Sequence, residues 1–141
     1  MFRYDTELNL RSTDAAGVAF FASYYAIAHD AYEAYLRSEG RPLSLWLDEV
    51  CLPIVHSEAD YTAPLTLDQP FTVLVRCEKI GHRSFTLSYE FVKDVKVFAR
   101  LQTVHVAVSI KTESAQSTSL PSELRTVLER LIDERGADPL S

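Results

Sequence analysis

Apolar and polar side chains alternate along the chain from Arg3 to Ser12. Tyr4, Thr6, Leu8 and Leu10 fall on one face, and Arg3, Asp5, Glu7, Asn9 and Arg11 on the other. A period of two predicts a strand with one wet side. The run Ser12-Thr13-Asp14-Ala15-Ala16-Gly17 ends it with turn-forming residues and a glycine. From Ala22 to about Glu39 the spacing becomes helical. Tyr24, Ile27, Ala28, Ala31 and Tyr35 form a stripe that Tyr25, His29, Tyr32 and Leu36 widen, leaving Ala26, Asp30, Glu33 and Arg37 as a narrow polar side. Gly40 and Pro42 stop the helix. Its alanines allow a sheet to approach the backbone.

Ser44 to Val50 reads as a short helix or turn carrying Leu45, Trp46 and Leu47, and four strand-like runs follow. These are Pro53 to Tyr61, Phe71 to Lys79, Phe85 to Lys93 and Val97 to Ile110. The last ends with Val104, Val106, Val108 and Ile110 alternating against Thr103, His105, Ala107 and Ser109. Lys93-Asp94-Val95-Lys96 reads as a hairpin turn without a glycine. Thr112 to Ser119 is a polar connection. Pro121 opens an amphipathic helix through about Arg135, with Leu124, Val127, Leu128 and Leu131 on its apolar side and Gly136 as its cap. Strand, long helix, four strands and a final helix make one α+β domain over residues 1–141 with a largely antiparallel sheet. Such long final strands leave an edge that oligomerisation would protect.

Composition narrows the possibilities. The 141 residues are 47% hydrophobic and 24% charged with only 4 glycines, which excludes collagen-like and largely disordered chains. A net charge of −6 argues against general nucleic-acid binding while leaving room for a local basic pocket. Cys51 and Cys77 form no CxxC pair and are expected as buried free thiols. With no apolar leader and no run of 18 apolar residues, the expectation is a cytoplasmic protein without membrane insertion. GxSxG, Walker, GxGxxG and HExxH motifs are missing, and His29, His56, His82 and His105 share no metal-ligand spacing. No metal is expected.

Asp14 stands out because it occupies a polar turn just ahead of the long helix. It serves either as an Asx-turn or capping residue, or as a carboxylate working beside the unpaired N–H groups of a helix start. The second arrangement supplies a base or nucleophile and an oxyanion site, the minimum for hydrolysing an activated acyl group. Spacing alone leaves both open.

The segment TDAAGVAFFASYYAIAHDAYEAYL resembles the hot-dog-fold acyl-CoA thioesterases of the 4-hydroxybenzoyl-CoA thioesterase type. PIVHSEADYTAPLTLDQPF and CEKIGHRSFTLSYEF extend the resemblance from about Tyr4 to Ile110. Phe20-Phe21, HDAYEAYL and PIVHSEADY are most similar to the cyanobacterial branch acting on 1,4-dihydroxy-2-naphthoyl-CoA in phylloquinone (vitamin K1) synthesis. The resemblance implies a hot-dog fold, an antiparallel sheet curled around one long helix. It also implies a homo-oligomer, as a dimer of dimers, with sites between subunits. The implied activity is thioester hydrolysis of an aromatic acyl-CoA without a separate cofactor, since CoA is part of the substrate. Other acyl-CoA or acyl-carrier-protein thioesters, and a non-catalytic acyl-CoA-binding module, are the alternatives.

Residue by residue, the resemblance makes Asp14 the catalytic carboxylate and the backbone N–H of Phe21 the carbonyl-polarising donor. Gly17 lets the turn bring them together, or is an ordinary turn glycine. Many relatives carry His where this chain has Phe21 and Asn where it has Ser23; Phe21 favours a flat aromatic acyl group, and Ser23 remains able to cap the helix. Tyr24, Trp46, His56 and Ser57 are candidates for the acyl slot, Trp46 being equally a core residue. Lys79, His82, Arg83 and Ser84, about the Gly81 turn, are candidates for CoA phosphates or simply a solvated hairpin end.

Overall fold

The computed structural model describes residues 1–110 and 116–132. The elements are β1 (Phe2–Glu7), a 3-10 turn (Leu10–Ser12), α1 (Ser23–Ser38), α2 (Leu43–Trp46), β2 (Val50–Cys51), β3 (Ile54–Tyr61), β4 (Pro70–Ile80), β5 (Ser84–Lys93), β6 (Lys96–Val106), β7 (Val108–Ser109), β8 (Gln116–Ser117) and α3 (Ser122–Glu129). The sequence boundaries of the long helix and of three strands, β3, β4 and β5, hold to within about two residues. The first strand is shorter than expected: after Glu7 the chain turns, Asn9 caps the 3-10 turn, and Leu10 lies exposed. The expected helix end at Arg135 and its Gly136 cap lie outside the described residues, as does part of the 112–119 connection.

A single sheet curled around one helix is not what forms. The strands make two sheets, one of five in the order β1-β4-β5-β6-β3 and one of three in the order β2-β7-β8, accompanied by three helices. The larger sheet is open, with β1 and β3 as its outer strands. The reason lies partly at Ala107. Its N–H turns to the Arg83 carbonyl at 2.8 Å, so the run expected as one strand from Val97 to Ile110 breaks, and its end pairs with β2 and β8 instead. On the other side β3 is exposed along almost its whole length, and nothing among the described residues closes the sheet there.

α1 lies on one face of the five-stranded sheet. Tyr24, Ala28, Ala31, Tyr32, Tyr35 and Leu36 are buried against Val73, Val75, Leu87, Tyr89, Phe91 and Leu101. Ala28 and Ala31 keep the helix close to the strands, as the small residues in the stripe suggest. Gly40 at φ +79 closes α1 in the left-handed conformation that suits glycine. Tyr35 Oη donates to the Val127 carbonyl, and Arg130 pairs with Glu39, so α3 docks at the C-terminal end of α1. In the β5–β6 hairpin Asp94, at φ +53, takes the role a glycine would have had.

The alternation in β6 is real, but its buried side is the more polar one. Phe85 pairs with His105 and Leu87 with Thr103, which turns Thr103, His105 and Ala107 toward the helix and leaves Val104 and Val106 half-buried on the opposite face. The core admits His105 because both ring nitrogens are occupied. Nδ1 lies 3.0 Å from the Leu52 carbonyl and Nε2 3.0 Å from Thr103 Oγ1. The carbonyl can only accept, so Nδ1 carries the proton and Nε2 accepts from the threonine. Phe85 stacks on the ring at 4.7 Å. Cys77 is buried as expected; Cys51 is exposed, because β2 lies at the outside of the small sheet. Among the described residues no helix is long and apolar enough to cross a membrane.

Candidate active site

The loop before α1 is a small hairpin built by its own backbone. Asp14 N–H donates to Val18 O at 2.9 Å, Phe20 N–H to Ser12 O at 2.9 Å, and Thr13 bridges Ala19. Gly17 N–H closes the tip onto Asp14 O at 3.0 Å, and Gly17 takes φ +77. A side chain there would be strained, so the glycine is a conformational requirement of this turn. The hairpin also leans on the β3–β4 connection, with Ala19 N–H on Leu65 O at 2.8 Å and Leu67 N–H on Gly17 O at 3.1 Å.

Asp14 is exposed at the tip, and its Oδ1 accepts from Ala16 N–H at 2.8 Å. The Asx-turn is therefore present. It occupies one carboxylate oxygen in fixing the side chain's direction, which leaves the second oxygen for chemistry. Further along, Phe20 O accepts from Ser23 N–H at 2.9 Å. Among the described residues no backbone carbonyl outside the helices and strands accepts the Phe21 N–H. A helix start normally presents such uncommitted donors. Ser23 is the first residue of α1, not its cap; Ala22 holds the cap position and makes no side-chain bond.

Beside Phe21 opens a cavity of about 420 Å³ lined by Ala19, Phe21, Tyr24, Tyr61, Thr62, Ala63 and Pro64. Tyr24 and Tyr61 meet edge to face at 5.1 Å between centroids, and Tyr24 also packs 5.2 Å from Phe91. Burial raises the pKa of both hydroxyls above the ordinary value; a backbone hydrogen bond with Leu65 opposes this for Tyr24, and nearby Tyr25 adds to it for Tyr61. Both phenols thus stay protonated and act as neutral donors. The wall is aromatic and largely apolar, suited to a flat ring.

Asp14, Gly17, Phe21 and Tyr24 belong to one continuous stretch at the N-terminal end of α1. The other residues singled out in the sequence lie elsewhere in the chain. Trp46 is buried at the far end of the helix, where its Nε1–H donates to Leu36 O at 3.0 Å and Arg41 covers its ring. Leu36 is about 18 Å along the helix axis from Tyr24 at 1.5 Å per residue, so within one chain Trp46 does not line this cavity. His56 points to the sheet face away from α1, 3.5 Å from Glu58, whereas Ser57 is on the helix side opposite Thr103. Lys79, His82, Arg83 and Ser84 do gather at the β4–β5 turn. Arg83 donates to Ser117 Oγ at 3.1 Å, and Arg125 holds the Gly81 carbonyl. That turn adjoins Phe85, about 20 Å along β5 from the Phe91 end at ~3.4 Å per residue. Tyr61, Thr62 and Pro64 escaped sequence reasoning. A bulge between Ile54 and His56 resets which residues of β3 face the helix, so simple alternation does not select Tyr61.

Residues 8–128 match the model of the thioesterase-like superfamily. The chain is 32% identical to a 1,4-dihydroxy-2-naphthoyl-CoA hydrolase of Nostoc punctiforme over 97% of its own length and 93% of the relative's. It is 36% identical to the protein of that name from Picosynechococcus, covering 90% of this chain and 91% of that one. A crystal structure of a 1,4-dihydroxy-2-naphthoyl-CoA thioesterase from Synechocystis superposes with a TM-score of 0.83 at 29% identity, over 92% of this chain and 96% of the other. With a family match spanning the hairpin, the long helix and all five strands of the larger sheet except β1, the chain belongs to the thioesterase-like superfamily.

Proposed function

We propose that this protein hydrolyses the thioester of 1,4-dihydroxy-2-naphthoyl-CoA to 1,4-dihydroxy-2-naphthoate and CoA, a step of phylloquinone synthesis. The observation that carries this reading is that one hairpin and the helix start it leads into supply an oriented carboxylate at Asp14, a backbone N–H at Phe21 and the aromatic wall of a cavity. The names and coverage of the relatives support it.

The acyl ring enters between Phe21, Tyr24 and Tyr61, with its thioester carbonyl toward the Phe21 N–H. As the carbonyl carbon is attacked, negative charge gathers on its oxygen, and an aimed backbone donor stabilises that oxyanion by about 3 kcal/mol. The free Asp14 oxygen attacks the carbon directly, or takes a proton from a water that does. In the first route the C–S bond breaks to release CoA thiolate and a mixed anhydride, which water then opens; in the second the naphthoate forms in one passage. A thiolate leaves with little acid assistance, since thiols are acids of roughly pKa 8.5. A short list of catalytic groups is therefore sufficient.

Two copies join along the exposed edge of β3, and two such dimers form a tetramer. Supporting this, Phe20, Phe21, Ile54, Val55 and Tyr61 stay exposed in one chain, and β3 ends the sheet. The assembly lets Ser57, His56 and the cations Lys79, His82 and Arg83 serve the acyl group and phosphates of a substrate shared between copies, with Ser84 beside them. Free Cys51 and Cys77 suit a reducing cytoplasm.

The test is a hydrolysis panel of dihydroxynaphthoyl-, 4-hydroxybenzoyl- and short aliphatic CoA esters. The naphthoyl ester is expected to give a kcat/KM at least tenfold above the others. A faster 4-hydroxybenzoyl or aliphatic ester would reassign the substrate. Binding without turnover of any ester would reduce the protein to an acyl-CoA-binding module.

A further inference from the structure

We propose that Tyr61 is a positioning residue whose hydroxyl, by holding the Phe21 carbonyl, aims the Phe21 N–H at the substrate. The inference rests on the thioesterase reading above and adds a residue and a means to it. Tyr61 Oη donates to Phe21 O at 3.1 Å, across a separation of 40 residues.

The case follows from how the peptide planes around Phe21 are held. The plane between Ala19 and Phe20 is fixed by the Phe20 N–H on Ser12 O. The next plane, between Phe20 and Phe21, is held at its oxygen by Ser23 N–H and presents its own N–H outward. The following plane, between Phe21 and Ala22, is held at its oxygen by Tyr61. The Phe21 N–H is thus restrained from one side by the Ser23 bond to Phe20 O and from the other by Tyr61, and without Tyr61 the second restraint on the Phe21 backbone is lost. The cap position is Ala22, with no side-chain bond, and the Phe21 ring is 61% exposed, too loosely packed to anchor the backbone. Rigid donors matter because misdirection by an ångström removes much of an oxyanion interaction.

Tyr61 is itself firmly placed. Thr62 Oγ1 donates to Val97 O at 2.7 Å, and the N–H groups of Thr62 and Ala63 both reach Phe98 O, at 2.9 and 3.1 Å. The end of β3 is thus clamped to β6 directly after the tyrosine. Its ring braces Tyr24 edge-on while forming part of the cavity wall. One side chain therefore connects the sheet, the acyl slot and the oxyanion donor.

Tyr61→Phe removes the hydroxyl and keeps the ring; Tyr61→Ala removes both. Tyr61→Phe is expected to lower kcat about tenfold on the naphthoyl ester with KM within twofold, whereas Tyr61→Ala also raises KM. A spectroscopic readout separates aiming from mere support of the fold. With carbonyl-13C-labelled substrate bound to the Asp14→Asn protein, the infrared band of the thioester carbonyl should lie below its frequency in water. It should return most of the way when Tyr61→Phe is added, with the melting midpoint shifting by only a few degrees. Unchanged kcat in Tyr61→Phe, or a reduced kcat with an unmoved carbonyl band, would overturn the role of Tyr61 while leaving the thioesterase reading intact. A wild-type protein inert toward every ester of the panel would overturn both.

Discussion

The two sides of α1 are built on opposite terms. Where the helix meets β4, β5 and β6, the contact is dry and aromatic: Phe91 is fully buried, stacked 5.7 Å from Phe71 and packed against Tyr24. Where the same helix begins, an exposed hairpin, an uncapped first turn and exposed Phe20 and Phe21 stand beside the open edge of β3. The first region derives its order from area removed from water. The second depends on a few hydrogen bonds across the hairpin and from Tyr61. On the function proposed above, stability and chemistry fall to adjacent but separable parts, and substitutions should divide accordingly.

The greatest contrast is expected between two phenylalanines. Phe91→Ala should lower the unfolding free energy in urea by about 3–5 kcal/mol, the usual cost of emptying a fully enclosed aromatic site. Phe21→Ala should leave that free energy within about 0.5 kcal/mol, as at other surface positions, while raising KM for an aromatic ester. Equal destabilisation by the two would erase the division.

Next in size comes Asp14→Asn. The variant should keep the wild-type melting curve and still bind a CoA ester, because the amide oxygen can continue to accept from Ala16 N–H. Its kcat should fall at least 100-fold, the loss expected for a positioned proton-transfer or nucleophilic group. A variant that turns over at the wild-type rate would leave Asp14 with its Asx-turn and nothing more.

The outcome of reading the sequence follows the same division. The long helix and the strands β3, β4 and β5 were legible because each owes its period to local spacing. The turn around Asp14 and Gly17 was legible through one contiguous phrase. What escaped depends on partners distant in the chain. Whether Val104 or His105 faces inward is decided by Leu52, which supplies a carbonyl to a histidine that would otherwise be costly to bury. The break at Ala107 needs the Arg83 carbonyl, and Tyr61 acquires meaning only from Phe21, 40 residues earlier. Trp46, offered either to the acyl slot or to the core, is a core residue within this chain, its indole N–H committed to the end of α1.

His105 allows the dry region to be probed by pH. Burial depresses its pKa below the ordinary 6.5, an effect the Leu52 hydrogen bond opposes and His29 reinforces. The unfolded chain therefore takes up a proton that the folded protein refuses once the pH falls below about 6.5, and the folded state loses stability down to the depressed pKa. Between pH 7 and 5, wild type should lose more unfolding free energy than His105→Gln, measured by urea unfolding at each pH. Parallel slopes would place the acid sensitivity elsewhere. Turnover at fixed pH above 7 should differ little between the two, since His105 lies on the Phe85 side of the core, far along β5 from the Phe91 end.

The smallest effects offer the sharpest comparison, because two glycines form a matched pair. Gly17 and Gly40 take nearly the same backbone angle, φ +77 and +79, and an added Cβ meets nothing within 4 Å at either. Alanine at each position incurs the left-handed penalty of roughly 1–2 kcal/mol, partly offset by a stiffer unfolded chain, for a net loss of about 0.5–1 kcal/mol. Asparagine, which tolerates this conformation, should recover much of it. The stability losses should therefore be alike, one at the end of α1 and one at the tip of the hairpin. Activity should not be. Gly40→Ala leaves Asp14 and Phe21 where they are, so its kcat should stay within twofold of wild type. Gly17→Ala strains the turn that sets the Asp14 carboxylate, so kcat should drop about fivefold or more, with Gly17→Asn intermediate. If both alanine variants lose stability equally and neither loses rate, the hairpin is only a scaffold, and the separation between a region that holds the fold and a region that performs chemistry fails at its most precise point.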